Sequence, residues 1–106
     1  MVEQRGQDQG RQLAPWERVQ LEAERAITEH LAPMNGDPVV APDLISVISE
    51  SFSASQVWRE YYDDNFPRPH VREFVASALW KLLKAKTLDY AEGMCVYLKT
   101  PPQAEG

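Results

Sequence analysis

Residues 67–99, PRPHVREFVASALWKLLKAKTLDYAEGMCVYLK, decide the fold. Val71, Phe74, Val75, Ala78, Leu79 and Leu82 recur at the spacing of one helix face, at about 100° per residue. The opposite face carries His70, Glu73, Ser77, Trp80, Lys81 and Lys84, with Arg72 on a flank and Lys86 near the end. The spacing predicts a helix over about 69–86, opened by Pro69. Leu88-Asp89-Tyr90 and Met94 to Lys99 then alternate with the period-2 pattern of half-buried strands. Ala91-Glu92-Gly93 joins them, and Gly93 supplies the positive φ that a tight turn needs. In that ribbon Leu88, Tyr90, Met94, Val96 and Leu98 are expected to face the core, and Cys95, Tyr97 and Lys99 to face outward.

Working back toward the N-terminus, Phe66-Pro67-Arg68-Pro69 reads as a corner, because two prolines stop a preceding helix. That helix is expected over about 54–64, carrying Val57, Trp58, Tyr61 and Tyr62, with Ser53 and Gln56 as a capping box. Pro42 to about Ser51 reads as a shorter helix with Leu44, Ile45, Val47 and Ile48 inward. Val39-Val40 is a candidate short strand pairing with the ribbon. Met34-Asn35-Gly36-Asp37-Pro38 is a turn. The first helix is expected from Pro15 to about Pro33, its apolar stripe being Trp16, Val19, Ala23, Ala26, Ile27 and Leu31. Leu21 falls on the far side of that helix, either as an isolated exposed leucine or as the mark of a self-association face.

The chain has 106 residues, 43% of them apolar and 25% charged, which suits one domain with a modest core. The expected division is a tail over 1–13, a single domain over 14–100 and a second tail over 101–106. No apolar run approaches the roughly 20 residues of a membrane span, so no membrane contact is expected. The polar N-terminus MVEQRGQDQGRQ lacks the apolar segment of a signal peptide. The single cysteine, Cys95, cannot form an internal disulfide, and a reducing cytoplasm is the expected home. Net charge is −5, but the charges are segregated. Residues 1–53 hold nine acids (Glu3, Asp8, Glu17, Glu22, Glu24, Glu29, Asp37, Asp43, Glu50) against Arg5, Arg11, Arg18 and Arg25. Residues 65–90 hold Arg68, Arg72, Lys81, Lys84 and Lys86 against Glu73 and Asp89.

Residues for catalysis are missing. His30, His70 and Cys95 cannot assemble a zinc site at the usual spacing, and no Gly-rich phosphate loop or nucleophile elbow occurs. Asp63-Asp64 is an adjacent acidic pair at a helix end, the pattern of a solvated surface. The reading is a non-catalytic protein with no cofactor and no metal.

The segment ASALWKLLKAKTLDYAEGMCVYLK resembles the recognition helix and wing of the winged helix-turn-helix family of DNA-binding domains. The stretch SASQVWREYYDDNFPRPHVREFVASALWKL is similar to the winged-helix tails of phage and plasmid primase-helicases. There an aromatic-rich helix precedes a Phe-containing recognition helix, and the matching positions here are Val57, Trp58, Tyr61, Phe74 and Leu79. The likeness covers under half of the chain. The family usually carries a glycine near the end of that helix, where this chain has Lys86. The resemblance implies a mostly α fold with a small β-hairpin (α+β), a winged helix with an additional N-terminal helix. It implies DNA-facing positions at Arg68, His70, Arg72, Ser77, Lys81 and Lys84, with Lys99 on the wing.

Read from the residues, Lys81 and Lys84 suit phosphates, while Arg72 and His70 suit base edges or phosphates near the helix start. The alternative is a solvated face with lysines at a helix C-terminus, where the macrodipole favours cations. Trp80, among charges opposite the core stripe, has three readings: covered by the ribbon or first helix, stacked on a base or sugar, or anchoring a protein partner. The expected function is binding of double-stranded DNA in transcription regulation or in replication of a bacterial or mobile element. A dimer or a partner engaged through the acidic first helix would supplement a weakly basic module. The rival is a protein-interaction module on the same fold, docking through Trp80 or that helix.

Overall fold

A computed structural model describes residues 13–99; the expected tails, residue 13 apart, lie outside them. Among the described residues are four α-helices and one small antiparallel sheet of three strands, an α+β fold. Helix α1 spans Pro15–Leu31, and a 3-10 turn, Ala32–Met34, follows it. Pro15 stands in the first turn, where its missing N–H loses nothing, and the Glu17 carboxylate accepts a hydrogen bond from the Ala14 N–H at 2.9 Å. Val19, Ala23, Ile27 and Leu31 are buried. Trp16, expected in that stripe, is half-exposed. The helical period sets the direction of its side chain, but the core begins a turn later, at Val19.

Left-handed Asn35 and Gly36 (φ 53° and 86°) reverse the chain into β1, Val39–Val40. Helix α2, Ala41–Phe52, starts one residue before and ends one after the expected span. It buries Leu44, Ile48 and Phe52, with Ile45 packed beside them. Val47 faces outward instead of inward, because the stripe advances in steps of four and leaves it on the flank.

The one-residue extension of α2 to Phe52 shifts the start of the next helix. Ser53 closes α2, its hydroxyl donating to the Glu50 carbonyl at 2.9 Å. Ser55 becomes the N-cap of α3, Gln56–Asp64, and accepts from the Trp58 N–H at 3.3 Å. Gln56 donates to Glu60 at 2.8 Å rather than back to Ser53, so the expected capping box does not form. Trp58 is the buried hub of an aromatic cluster, 5.6 Å from Phe74 and 6.2 Å from Phe52 between ring centroids.

Helix α4, Val71–Lys84, is shorter at both ends than expected. His70 is extended at the N-cap, which keeps Pro69 outside the helix. At the other end the Thr87 N–H bonds the Leu82 carbonyl and the Lys86 N–H bonds the Leu83 carbonyl, with Lys86 left-handed at φ 68°. This is a Schellman motif. This position demands a conformation that glycine adopts most easily, and a lysine occupies it. Val75, Ala78, Leu79 and Leu82 pack inward against α1 and α2, which makes α4 the central helix.

Strands β2 (Leu88–Ala91) and β3 (Cys95–Leu98) complete the sheet in the order β1-β3-β2. Val39 and Tyr90 flank Val96 in register, so Val96 is buried on both sides. Two residues expected inward face solvent. Tyr90, on the edge strand, has no neighbour on its outer side, and Met94 has a positive φ (62°) that takes it out of the strand alternation. Cys95 and Tyr97, expected outward, are half-buried. Asp89 accepts a hydrogen bond from the Tyr90 N–H at 2.8 Å on the edge strand. The ribbon tip is tied to α2 by the Ala41 N–H, which bonds the Met94 carbonyl at 2.9 Å.

Candidate nucleic-acid interface

The inward pull of Val75, Ala78, Leu79 and Leu82 fixes which face of α4 is left in solvent. Glu73, Ser77, Trp80, Lys81 and Lys84 are exposed there, within about three turns. Trp80 is 55% exposed, which removes the reading that ribbon or first helix covers it. Lys81 and Lys84 form no ion pair among the described residues. Ser77 borders a shallow cleft with Trp16, Gln20, Glu73 and Phe74, and Lys81 borders the adjoining cleft with Trp16, Glu17 and Leu21.

The remaining expected positions do not share this surface equally. Arg68 turns back on α3: its guanidinium donates to the carbonyls of Tyr62, Asp63 and Asn65 and lies 5.1 Å over the Tyr62 ring. It caps a helix C-terminus, where a cation is favoured. Arg72 reaches across to α2 and donates to the Ser46 hydroxyl at 3.0 Å. His70 is exposed at the N-cap of α4, away from the lysines at the helix end. Lys99 is not at the ribbon tip. Its N–H bonds the Thr87 carbonyl at 3.1 Å, so it stands at the ribbon base beside the end of α4.

The structure therefore gathers exposed cations at one place. Lys84 closes α4, Lys86 follows it in the Schellman turn, and Lys99 is pinned opposite Thr87. Lys86 was not among the expected site residues. Its signal was the missing glycine: a side chain at a left-handed C-terminal position projects away from the helix it ends. The first turn of α4, at the other end, carries Glu73, and the ribbon tip carries Glu92. A surface of this polarity can meet phosphates at the C-terminal end of α4 and is unsuited to them at the tip.

On α1, Leu21 is exposed as expected, 49%. Two of the neighbouring acids, Glu22 and Glu29, are engaged with Arg25. Glu29 bonds Arg25 at 3.0 Å and Glu22 lies 3.9 Å away, and the Glu29 hydrogen bond and charge raise the Arg25 pKa above its ordinary value. Among the described residues no helix is long and apolar enough to cross a membrane. Comparison with known proteins finds no matching family model, no matching curated protein and no matching solved structure.

Proposed function

We propose that the chain is a cytoplasmic, non-catalytic module of the winged helix-turn-helix kind that binds double-stranded DNA in transcription regulation or in replication of a bacterial or mobile element. Two features support the fold assignment: the helix–strand–helix–helix–helix–strand–strand order and a sheet ordered β1-β3-β2 beside the central helix. The functional reading is carried by one observation, the exposed lysines 81, 84, 86 and 99 around the C-terminal end of α4, free of ion pairs among the described residues. Ser77 and Trp80 on the same face supply a hydroxyl and an aromatic plane next to them. Phosphate contact by these lysines would position the helix without specifying sequence. The test is fluorescence anisotropy with duplex DNA over a salt series. Replacing Lys81 and Lys84 by alanine should weaken binding to all duplexes and lower the salt slope by about one unit per lost contact. Absence of any binding at low salt ends this reading.

A second reading, protein docking through Trp80, is favoured by the exposure of that ring and by Glu73 and Glu92 at the far ends of helix and ribbon. In a partner assay it requires Trp80→Ala to abolish an interaction that the lysine variants retain.

A further inference from the structure

We infer that the cleft between α1 and α4 receives an unpaired guanine nucleotide, held by the edge that base pairing would occupy. Trp16, Gln20, Glu73, Phe74 and Ser77 border a cleft of about 360 Å³, within the roughly 300–1,000 Å³ of small-ligand sites. Trp16 and Gln20 also border the adjoining cleft, which Lys81 reaches. Gln20 is the residue that calls for a ligand. It is 6% exposed, and its amide nitrogen is enclosed with no hydrogen-bond partner. A buried donor left unsatisfied costs free energy, and an acceptor oxygen in the cleft removes that cost. The last torsion of a glutamine is broad, so the amide turns toward such an acceptor at little expense. Glu24, one turn along α1, also has an enclosed carboxylate oxygen without a partner, yet the two side chains do not bond each other.

The other groups define the ligand. Glu73 is exposed and enters no ion pair among the described residues. Its two carboxylate oxygens accept from a pair of adjacent N–H donors. Half-exposed Trp16 supplies an aromatic surface for stacking, and Phe74 borders the cleft while its ring packs edgewise on Trp58 and Tyr61. One acceptor followed by two donors on the edge of a planar ring is the pairing edge of guanine. Its O6 accepts from Gln20, and its N1–H and N2–H donate to Glu73. The other bases match this set at fewer positions. The charges agree with a nucleotide. Lys81 lies eight residues along α4 from Glu73, about 12 Å, and meets the phosphate from the adjoining cleft. Glu17 borders that cleft too, but its carboxylate accepts from the Ala14 N–H at 2.9 Å. Arg72, beside Glu73 in sequence, donates to Ser46 on α2, and Arg18 borders a separate cleft with Glu60 and Asp64. Acid at one end and cation at the other suit a neutral base with an anionic tail. Duplex DNA has that base edge paired, so the site goes beyond duplex binding and does not depend on it.

The test follows the Trp16 indole N–H by NMR while the 5′-monophosphates of guanosine, inosine and adenosine are titrated into the full chain. GMP should shift Trp16 before Trp80 and bind about tenfold tighter than AMP. IMP, which lacks the N2 amino group, should fall between them. Glu73→Gln should remove the preference for guanine. Gln20→Met should weaken GMP binding without lowering the Tm, because the donor it removes has no partner in the free protein. A single strand TTGTT that outbinds both GMP and TTATT assigns the site to nucleic acid, whereas GMP outbinding TTGTT assigns it to the free nucleotide. The inference is overturned if AMP binds as tightly as GMP or if Trp80 responds first. It is overturned if Gln20→Met lowers the Tm, which would pair Gln20 with Glu24 inside the fold. It is also overturned if a duplex with its guanine paired shifts Trp16 as GMP does. Absence of duplex binding counts against the proposed function alone. The wild-type titrations decide the matter should a variant fail to fold.

Discussion

Lys99 and Thr87 are joined across the base of the ribbon, the lysine N–H donating to the threonine carbonyl at 3.1 Å. One backbone bond thus sets a cation from the end of the described chain beside the helix that closes with Lys84. A residue distant in sequence becomes part of a local charge cluster. Lys99→Ala should therefore weaken duplex binding and lower its salt slope by about one unit, with no change in thermal midpoint. Glu92→Ala, at the opposite end of the same ribbon, should not weaken it. Anisotropy titrations of both variants over a salt series check this.

Lys86 separates stability from binding. Its φ of 68° is the conformation glycine adopts without strain. Lys86→Gly should stabilise the fold by about 1 kcal/mol, because the left-handed penalty disappears. The corresponding rise in Tm is roughly 4–8 °C for a domain of this size. Under the proposed function the same variant should bind duplex DNA more weakly, since it removes one charge of the lysine cluster. Thermal melts and anisotropy on one sample test the opposed signs.

Ser55 and Ser53 distinguish the observed cap from the expected one. Ser55→Ala removes the acceptor for the Trp58 N–H and should cost about 1 kcal/mol. Ser53→Ala removes only an exposed hydroxyl that donates to Glu50, and should stay within about 0.5 kcal/mol. Chemical denaturation of the two variants reads the difference directly.

Trp58 and Trp80 make a matched pair of opposite kind. Trp58 is 4% exposed and packs against four aromatic rings, Phe52, Phe74 and, in its own helix, Tyr61 and Tyr62, whereas Trp80 stands half in water. Trp58→Ala should destabilise by about 3–5 kcal/mol. Trp80→Ala should leave stability nearly unchanged, within about 0.5 kcal/mol, and its effect should appear only in binding. Urea unfolding curves compare them.

The legible parts of this fold are those where local pattern and burial agree. The stripe Val19, Ala23, Ile27, Leu31 reads as buried and is buried, and Val39-Val40 reads as a strand against the ribbon and pairs with β3. The readings fail where periodicity points at space that nothing fills. Trp16, Val47 and Tyr90 each have the correct phase, but they lie before the core, on its flank or on the open edge. Met94 fails for another reason: its left-handed backbone interrupts an alternation that sequence alone displays as continuous. The candidate site divides in the same way. Lys81 and Lys84 are exposed because the opposite face of α4 is buried, a relation visible in the helical period. The engagement of Arg68 with three carbonyls and of Arg72 with Ser46 depends on tertiary approach, and no spacing of residues announces it.

The Asp89 carboxylate on the Tyr90 amide governs how the molecule behaves in company. β2 is one of the two edges of the sheet, and an edge with vacant amides invites strands from neighbouring molecules to add on. Here a side chain of the strand itself fills that vacancy and sets a negative charge on the rim. At that amide a neighbouring strand finds no free donor, and the added charge disfavours such pairing on the β2 side of the sheet.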